Sequence, residues 1–299
     1  MKIITTISAL LLFFSEPLFS QQNDITLIIK PGAIPEKLSG DFNFTEGPAA
    51  DAKGNVFFTD QPNDRIMVWS TKGMLTTFMQ PSGRSNGLFF DSEGNLWSCA
   101  DEQNELWKIS PDKTVEVLLN EFNGKLLNGP NDLWIAPDGA VYFTDPFYRR
   151  SWWNHSAMPQ DKQCVYYLGP DHKTLRRVAD DLVQPNGIIG TSDGKTLYVA
   201  DIGNKKTWSF SINPDGTLGN KKLFCEMGSD GMTIDKKGNI YLTGRGVTIF
   251  DKTGKHIGNI AVPEGWTANV CFGDRDRKSL FITASKGLYR IRTRTKGVY

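Results

Sequence analysis

The chain has 299 residues, with 34 Lys plus Arg against 33 Asp plus Glu and a formal net charge of +1. That balance, without any basic block, argues against a nucleic-acid surface or a membrane-surface role and favours a small, weakly charged partner. With 39% apolar and 22% charged residues, the chain is globular in composition and long enough to bury one large core.

Residues 1–20, MKIITTISALLLFFSEPLFS, set Lys2 before an apolar run from Ile3 to Phe14, with small Ser20 as a cleavage point. The run is short for a membrane span and has the layout of a secretory signal peptide. Export to the periplasm or medium is therefore expected, with residues 21–299 forming a single domain and no membrane contact beyond the signal peptide. Next, ITLIIKP at 25–31 reads as a strand, expected to join the last repeat and close the fold.

From residue 45 onward six segments share one shape: an apolar strand, a turn built on Asp and Gly, then a second apolar strand. The second strands read GNVFFTD from Gly54, GNLWSCA from Gly94, GAVYFTD from Gly139, GKTLYVAD from Gly194, GNIYLTG from Gly238 and KSLFITA from Lys278. Each is followed by another turn and strand, as in DRIMVWS, NELWKIS and KGLYRIRT, which is hairpin grammar. The apolar runs alone would suit a sandwich. A period of roughly 40 to 55 residues without helical patterns instead predicts an all-β fold, a six-bladed β-propeller. The third repeat carries the longest insertion, residues 145–163, whose four aromatics and two arginines suit a lid or a cover for the blade edge.

Aligned on the turn glycine, the residues eight positions upstream are Glu46, Asn86, Asn131, Asn186 and Asp230. Counting back from Arg277, which replaces the sixth glycine, gives Asn269. First strands line a propeller's channel, so one position per blade makes a ring. All six side chains carry an oxygen, whereas nearby Leu88, Leu133, Ile188, Met232 and Val270 are apolar. Turn formation would account for Asn86 and Asn269 alone. Burying Glu46 and Asp230 beside them costs several kcal/mol each unless something satisfies them. Two carboxylates with amide oxygens, and no histidine or thiolate, describe a hard-cation site: Ca²⁺ first, then Mg²⁺ or Mn²⁺, with Zn²⁺ a further alternative.

Other motifs carry less. GRSNG at 83–87 fits G-x-S-x-G, but its context is strand–turn–strand rather than strand–turn–helix. His155, His172 and His256 share no spacing that suits a triad or a zinc site. NFT at 43–45 and NHS at 154–156 match the glycosylation pattern at chance level. Cys99, Cys164, Cys225 and Cys271 are widely spaced, and free buried thiols are expected, although export permits disulfides.

The segments TEGPAAD (45–51), SNGLFFDSEGNLWSC (85–99), GPNDLWIAPDGAVYFTDPFY (129–148), QPNGIIGTSDGKTLYVAD (184–201), SDGMTIDKKGNIYLTG (229–244) and TASKGLYRIR (283–292) follow one another in order. On these residues the chain resembles the SMP-30/gluconolactonase/luciferin-regenerating-enzyme-like propellers, bacterial gluconolactonase type, from about residue 35 to the C-terminus. The resemblance implies a divalent metal at one mouth of the channel, usually Ca²⁺, held by Glu46, Asn131, Asn186 and Asp230, with Asn131 able to contact substrate instead. Many relatives follow the second-blade cysteine with Glu-His, whereas Cys99 is followed by Ala100 and Asp101, so substrate details need not carry over. The implied activity is hydrolysis of a small lactone such as glucono-1,5-lactone. Asp230 would be the base, Glu46 a fixed ligand, and Asn131 and Asn86 would hold substrate hydroxyls. The alternatives are an esterase or phosphotriesterase on the same metal, or a non-catalytic propeller that binds carbohydrate or a protein partner.

Overall fold

The computed structural model describes residues 24–299. The expected signal peptide lies outside the described residues. Six four-stranded antiparallel sheets follow one another along the chain. Blade 1 runs from strand Thr45–Ala50 to Leu75–Met79, blade 2 from Ser85–Phe90 to Val115–Leu119, and blade 3 from Leu133–Ile135 to Leu175–Ala179. Blade 4 runs from Pro185–Gly190 to Leu218–Cys225, and blade 5 from Met232–Ile234 to His256–Ile260. Blade 6 has Thr267–Gly273, Ser279–Ala284 and Gly287–Arg292. The chain is thus the all-β, six-bladed propeller that the repeat period predicts.

The closing strand differs from expectation. Glu36–Ser39, not residues 25–31, pairs antiparallel with Gly287–Arg292, with Lys37 opposite Tyr289. Asp24–Leu27 is a 3₁₀ turn, and Ile29 makes only one bridge, to Thr293. The reason lies in the residues themselves. Ile28 and Ile29 are buried in the core between blades 5 and 6. Pro31 has no N–H to donate, and Gly32 turns the chain at φ +76°. The apolar run is spent on packing, and the ladder begins after the turn.

The second strands of the blades are buried along their length, as in Val141–Asp145 and Ile240–Gly244. Neighbouring blades cover both faces, so these strands read as unbroken apolar runs. The threonine near their ends ties one blade to the next. Thr59, Thr144 and Thr243 donate through Oγ1 to the carbonyls of Asn86, Asn186 and Ala268, at 3.1, 2.7 and 2.7 Å. All four cysteines are free and buried. Burial pushes the Cys164 and Cys271 thiols up to about 12 and that of Cys225 up to about 11, which makes them core residues rather than nucleophiles.

Along the axis, Ala49, Leu88, Leu133, Ile188, Met232 and Val270 supply one apolar wall residue per blade to a cavity of about 260 Å³. Tyr299 also lines it, beside the far ends of the inner strands. Its hydroxyl accepts from Trp134 Nε1 and donates to the Gly190 carbonyl, both at 2.9 Å.

Candidate metal centre and substrate mouth

The six aligned residues do converge on the channel. Glu46, Asn86, Asn186 and Asn269 lie in the inner strands, and Asn131 and Asp230 sit just ahead of theirs. All are buried except Asp230, which keeps part of its surface open. The glycine that follows most of them is a consequence of crowding. A Cβ on Gly47 would stand 2.0 Å from the Asn86 carbonyl oxygen, and one on Gly231 would stand 1.9 Å from Asn269 Cγ. Blade 3 has Asp132 at that place, and this puts a third carboxyl into the channel, 94% buried.

The polar contacts are few and specific. Asn186 Nδ2 donates to Asp230 Oδ1 and to the Tyr148 hydroxyl, both at 2.9 Å. Trp266 Nε1 donates to Asp230 Oδ2 at 2.6 Å. Glu46 Oε2 accepts from the Gly47 N–H at 2.9 Å. Asn269 Nδ2 reaches Asp132 Oδ2 at 3.4 Å. Burial, and next the charge of Asp230, hold the Glu46 carboxyl well above the usual range. Burial also raises Asp230, against the donors Trp266 and Asn186. Asp132 is pushed up to about 7, chiefly by burial. Asn131 is held through its backbone, its N–H donating to the Thr144 carbonyl at 2.9 Å while its carbonyl accepts from Gly87 N at 2.8 Å.

One buried oxygen stands out. Asn186 Oδ1 has no partner, although the same amide's nitrogen has two. An unsatisfied buried acceptor costs about 1–3 kcal/mol. Nearby, burial and the charge of Asp230 raise the proton affinity of Glu46. A hard cation answers both, because carboxylate and amide oxygens are the donors it prefers. Among the described residues, no three His, Cys, Asp or Glu side chains group as metal ligands. The fit therefore rests on two carboxylates and amide oxygens together.

The insertion at 145–163 is anchored, and the residues that anchor it carry no signal of their own in the repeats. Three of the aspartates that end second strands tie down the backbone entering their own blade. Asp60 accepts from the N–H groups of Asn43 and Phe44, Asp145 from those of Asn128 and Gly129, and Asp201 from those of Val183 and Gln184. In blade 2 that task passes to Asp64, which takes the N–H groups of Ser82 and Arg84. Asp101 is thereby released. Its Oδ2 accepts from Arg150 Nε at 2.7 Å and from Gln61 Nε2 at 3.1 Å, and its carbonyl takes Trp153 Nε1 at 2.6 Å. Burial pushes its carboxyl up to about 6, and Arg150 opposes this. Arg150 also lies over the rings of Tyr148 and Trp152 at 5.5 and 5.6 Å. The insertion is thus clamped to blade 2, and its Tyr148 reaches Asn186 at the ring.

The other motifs stay structural. Ser85 of GRSNG is buried, donating to the Ser82 carbonyl at 2.6 Å and accepting from Ser98 Oγ at 2.5 Å. His155 stacks on Trp153, His172 packs on Trp97, and His256 starts the outer strand of blade 5, so the three share no site.

Residues 44–286 match the family model described as the SMP-30/Gluconolactonase/LRE-like region. A gluconolactonase of Zymomonas mobilis is 30% identical over 293 residues, covering 88% of this chain and 82% of that protein. The diisopropyl-fluorophosphatase of Loligo vulgaris is 25% identical, covering 83% and 87%. The solved structure of a Xanthomonas campestris gluconolactonase superposes with a TM-score of 0.83 at 29% identity, covering 90% of this chain and 92% of that one. With the blades, the ring and these likenesses in agreement, the chain belongs to the SMP-30/Gluconolactonase/LRE-like family.

Proposed function

We propose that this protein is a Ca²⁺-dependent hydrolase that opens sugar lactones such as glucono-1,5-lactone, working after export from the cytoplasm. The observation that carries the reading is the orphaned Asn186 Oδ1, on the amide that donates to Asp230, with the Glu46 carboxyl raised by burial and by the charge of Asp230. Glu46, Asn186 and Asp230, with Asn131, would hold the cation; bound there, it would supply Lewis-acid polarisation of the lactone carbonyl. Asp230 is the member with surface at the mouth, so it is the group placed to take a proton from the attacking water. Asn186 and Trp266 each donate to one of its oxygens and fix its plane. Glu46 sits deeper and serves as ligand. Asn86 is the amide left to meet substrate hydroxyls, and Asn131 serves either the cation or the substrate.

A phosphotriester is the second reading, favoured by the likeness to the Loligo vulgaris fluorophosphatase. Rates on glucono-1,5-lactone and on diisopropyl fluorophosphate separate the two. The lactone is expected to show the higher kcat/KM by at least about tenfold, equivalent to about 1.4 kcal/mol of transition-state preference. A higher kcat/KM on the fluorophosphate would overturn the lactone assignment.

A further inference from the structure

We infer that Trp266 is the specificity-determining platform of the site, its indole face meeting the C–H face of the lactone ring while its N–H holds Asp230. This rests on the lactone-hydrolase reading. Trp266 comes from the irregular segment between blades 5 and 6, outside every repeat. It is 38% exposed, and among the described residues it is the one tryptophan with that much open surface. An exposed indole is ordinarily free to turn, but this one is fixed at both ends. Its Nε1 is spent on Asp230 Oδ2 at 2.6 Å. Its backbone N–H donates to Ser285 Oγ at 3.3 Å, and Ser285 Oγ donates back to the Trp266 carbonyl at 3.2 Å. The Ser285 carbonyl in turn receives the N–H of Thr45, the neighbour of Glu46. The ring is therefore registered against both carboxylates of the site.

A fixed, half-open aromatic costs the protein apolar exposure yet leaves little rotamer entropy to lose on binding, which is what preorganisation for a ligand requires. The ligand it suits follows from chemistry. A lactone ring of sugar type presents hydroxyls at its rim and partly positive C–H groups on its faces, and an aromatic face is negative. Asn86 and Asn131 supply amides for the rim. The indole supplies the wall for the face. A compact tetrahedral phosphorus ester has no such face to offer.

The test is steady-state kinetics on glucono-1,5-lactone with Trp266→Leu, which removes ring and N–H, and Trp266→Phe, which keeps a ring. Trp266→Leu is expected to raise KM by roughly three- to tenfold, the range of an aromatic contact. Trp266→Phe is expected to hold KM within about twofold while kcat falls, because Asp230 loses a donor to one oxygen. The inference is overturned if Leu and Phe shift KM equally, since the N–H alone would then be at work. It is also overturned if neither shifts KM. A wild type inert on the lactone would overturn the lactone reading, and this inference with it.

Discussion

Asp230→Asn is expected to lower kcat for lactone opening by about 10²- to 10⁴-fold even at saturating Ca²⁺, the usual loss when a general base is removed. The change keeps size and one ligand oxygen but removes the negative charge and the proton acceptor. Glu46→Gln removes charge from the deeper, fully buried partner. Its loss should lie in metal affinity, and added Ca²⁺ should restore most of the rate. Titrating lactonase rate against Ca²⁺ for the two variants checks this. Full recovery of both would make Asp230 a ligand only and leave the base to another group.

The second large effect concerns stability. Arg150→Met takes from buried Asp101 the guanidinium in contact with it, leaving the Gln61 donor and the more distant Arg84, and removing one partner of such a pair costs about 3–5 kcal/mol. For a chain of this size that corresponds to a fall in Tm of about 5 to 15 °C near pH 8. The pH dependence has a definite sign. Asp101 carries a folded-state pKa raised to about 6, so its favourable contribution is complete below the ordinary carboxylate value and is lost as pH rises through about 6. Without Arg150 that pKa rises further, so the deficit should be largest at pH 8 and shrink by pH 5, where Asp101 is neutral. Thermal unfolding at the two pH values measures it. The double variant Asp101→Asn/Arg150→Met should regain much of the loss, because no unpaired charge remains. Equal Tm values for wild type and Arg150→Met at pH 8 would show that the clamp holds nothing.

The propeller was legible because its evidence is periodic. The Asp–Gly turns recur in every repeat, and the distance from the turn to the channel is set by strand length, so Glu46, Asn131, Asn186 and Asp230 could be aligned without a structure. What escaped was whatever departs from the period. Asp132 occupies a place that is glycine in most blades, and nothing in its own neighbourhood marks it as channel-facing. Asp101 directly follows its strand, much as Asp60, Asp145 and Asp201 end theirs. Only the substitution of Asp64 in the capping role reveals its different task. Trp266 lies between repeats. The more apolar segment at 25–31 has the look of the closing strand, but Ile28 and Ile29 pack into the core, and the half-exposed Glu36–Ser39 closes the ring through backbone pairing.

The cation is the centre of the proposed chemistry. The measurement is the rate of glucono-1,5-lactone opening by protein treated with chelator, followed by a titration with Ca²⁺. Stripping is expected to reduce the rate to that of the Asp230→Asn variant or lower, and Ca²⁺ to restore it along a saturating curve. A stripped protein that opens the lactone at the untreated rate would contradict the proposed role of the cation.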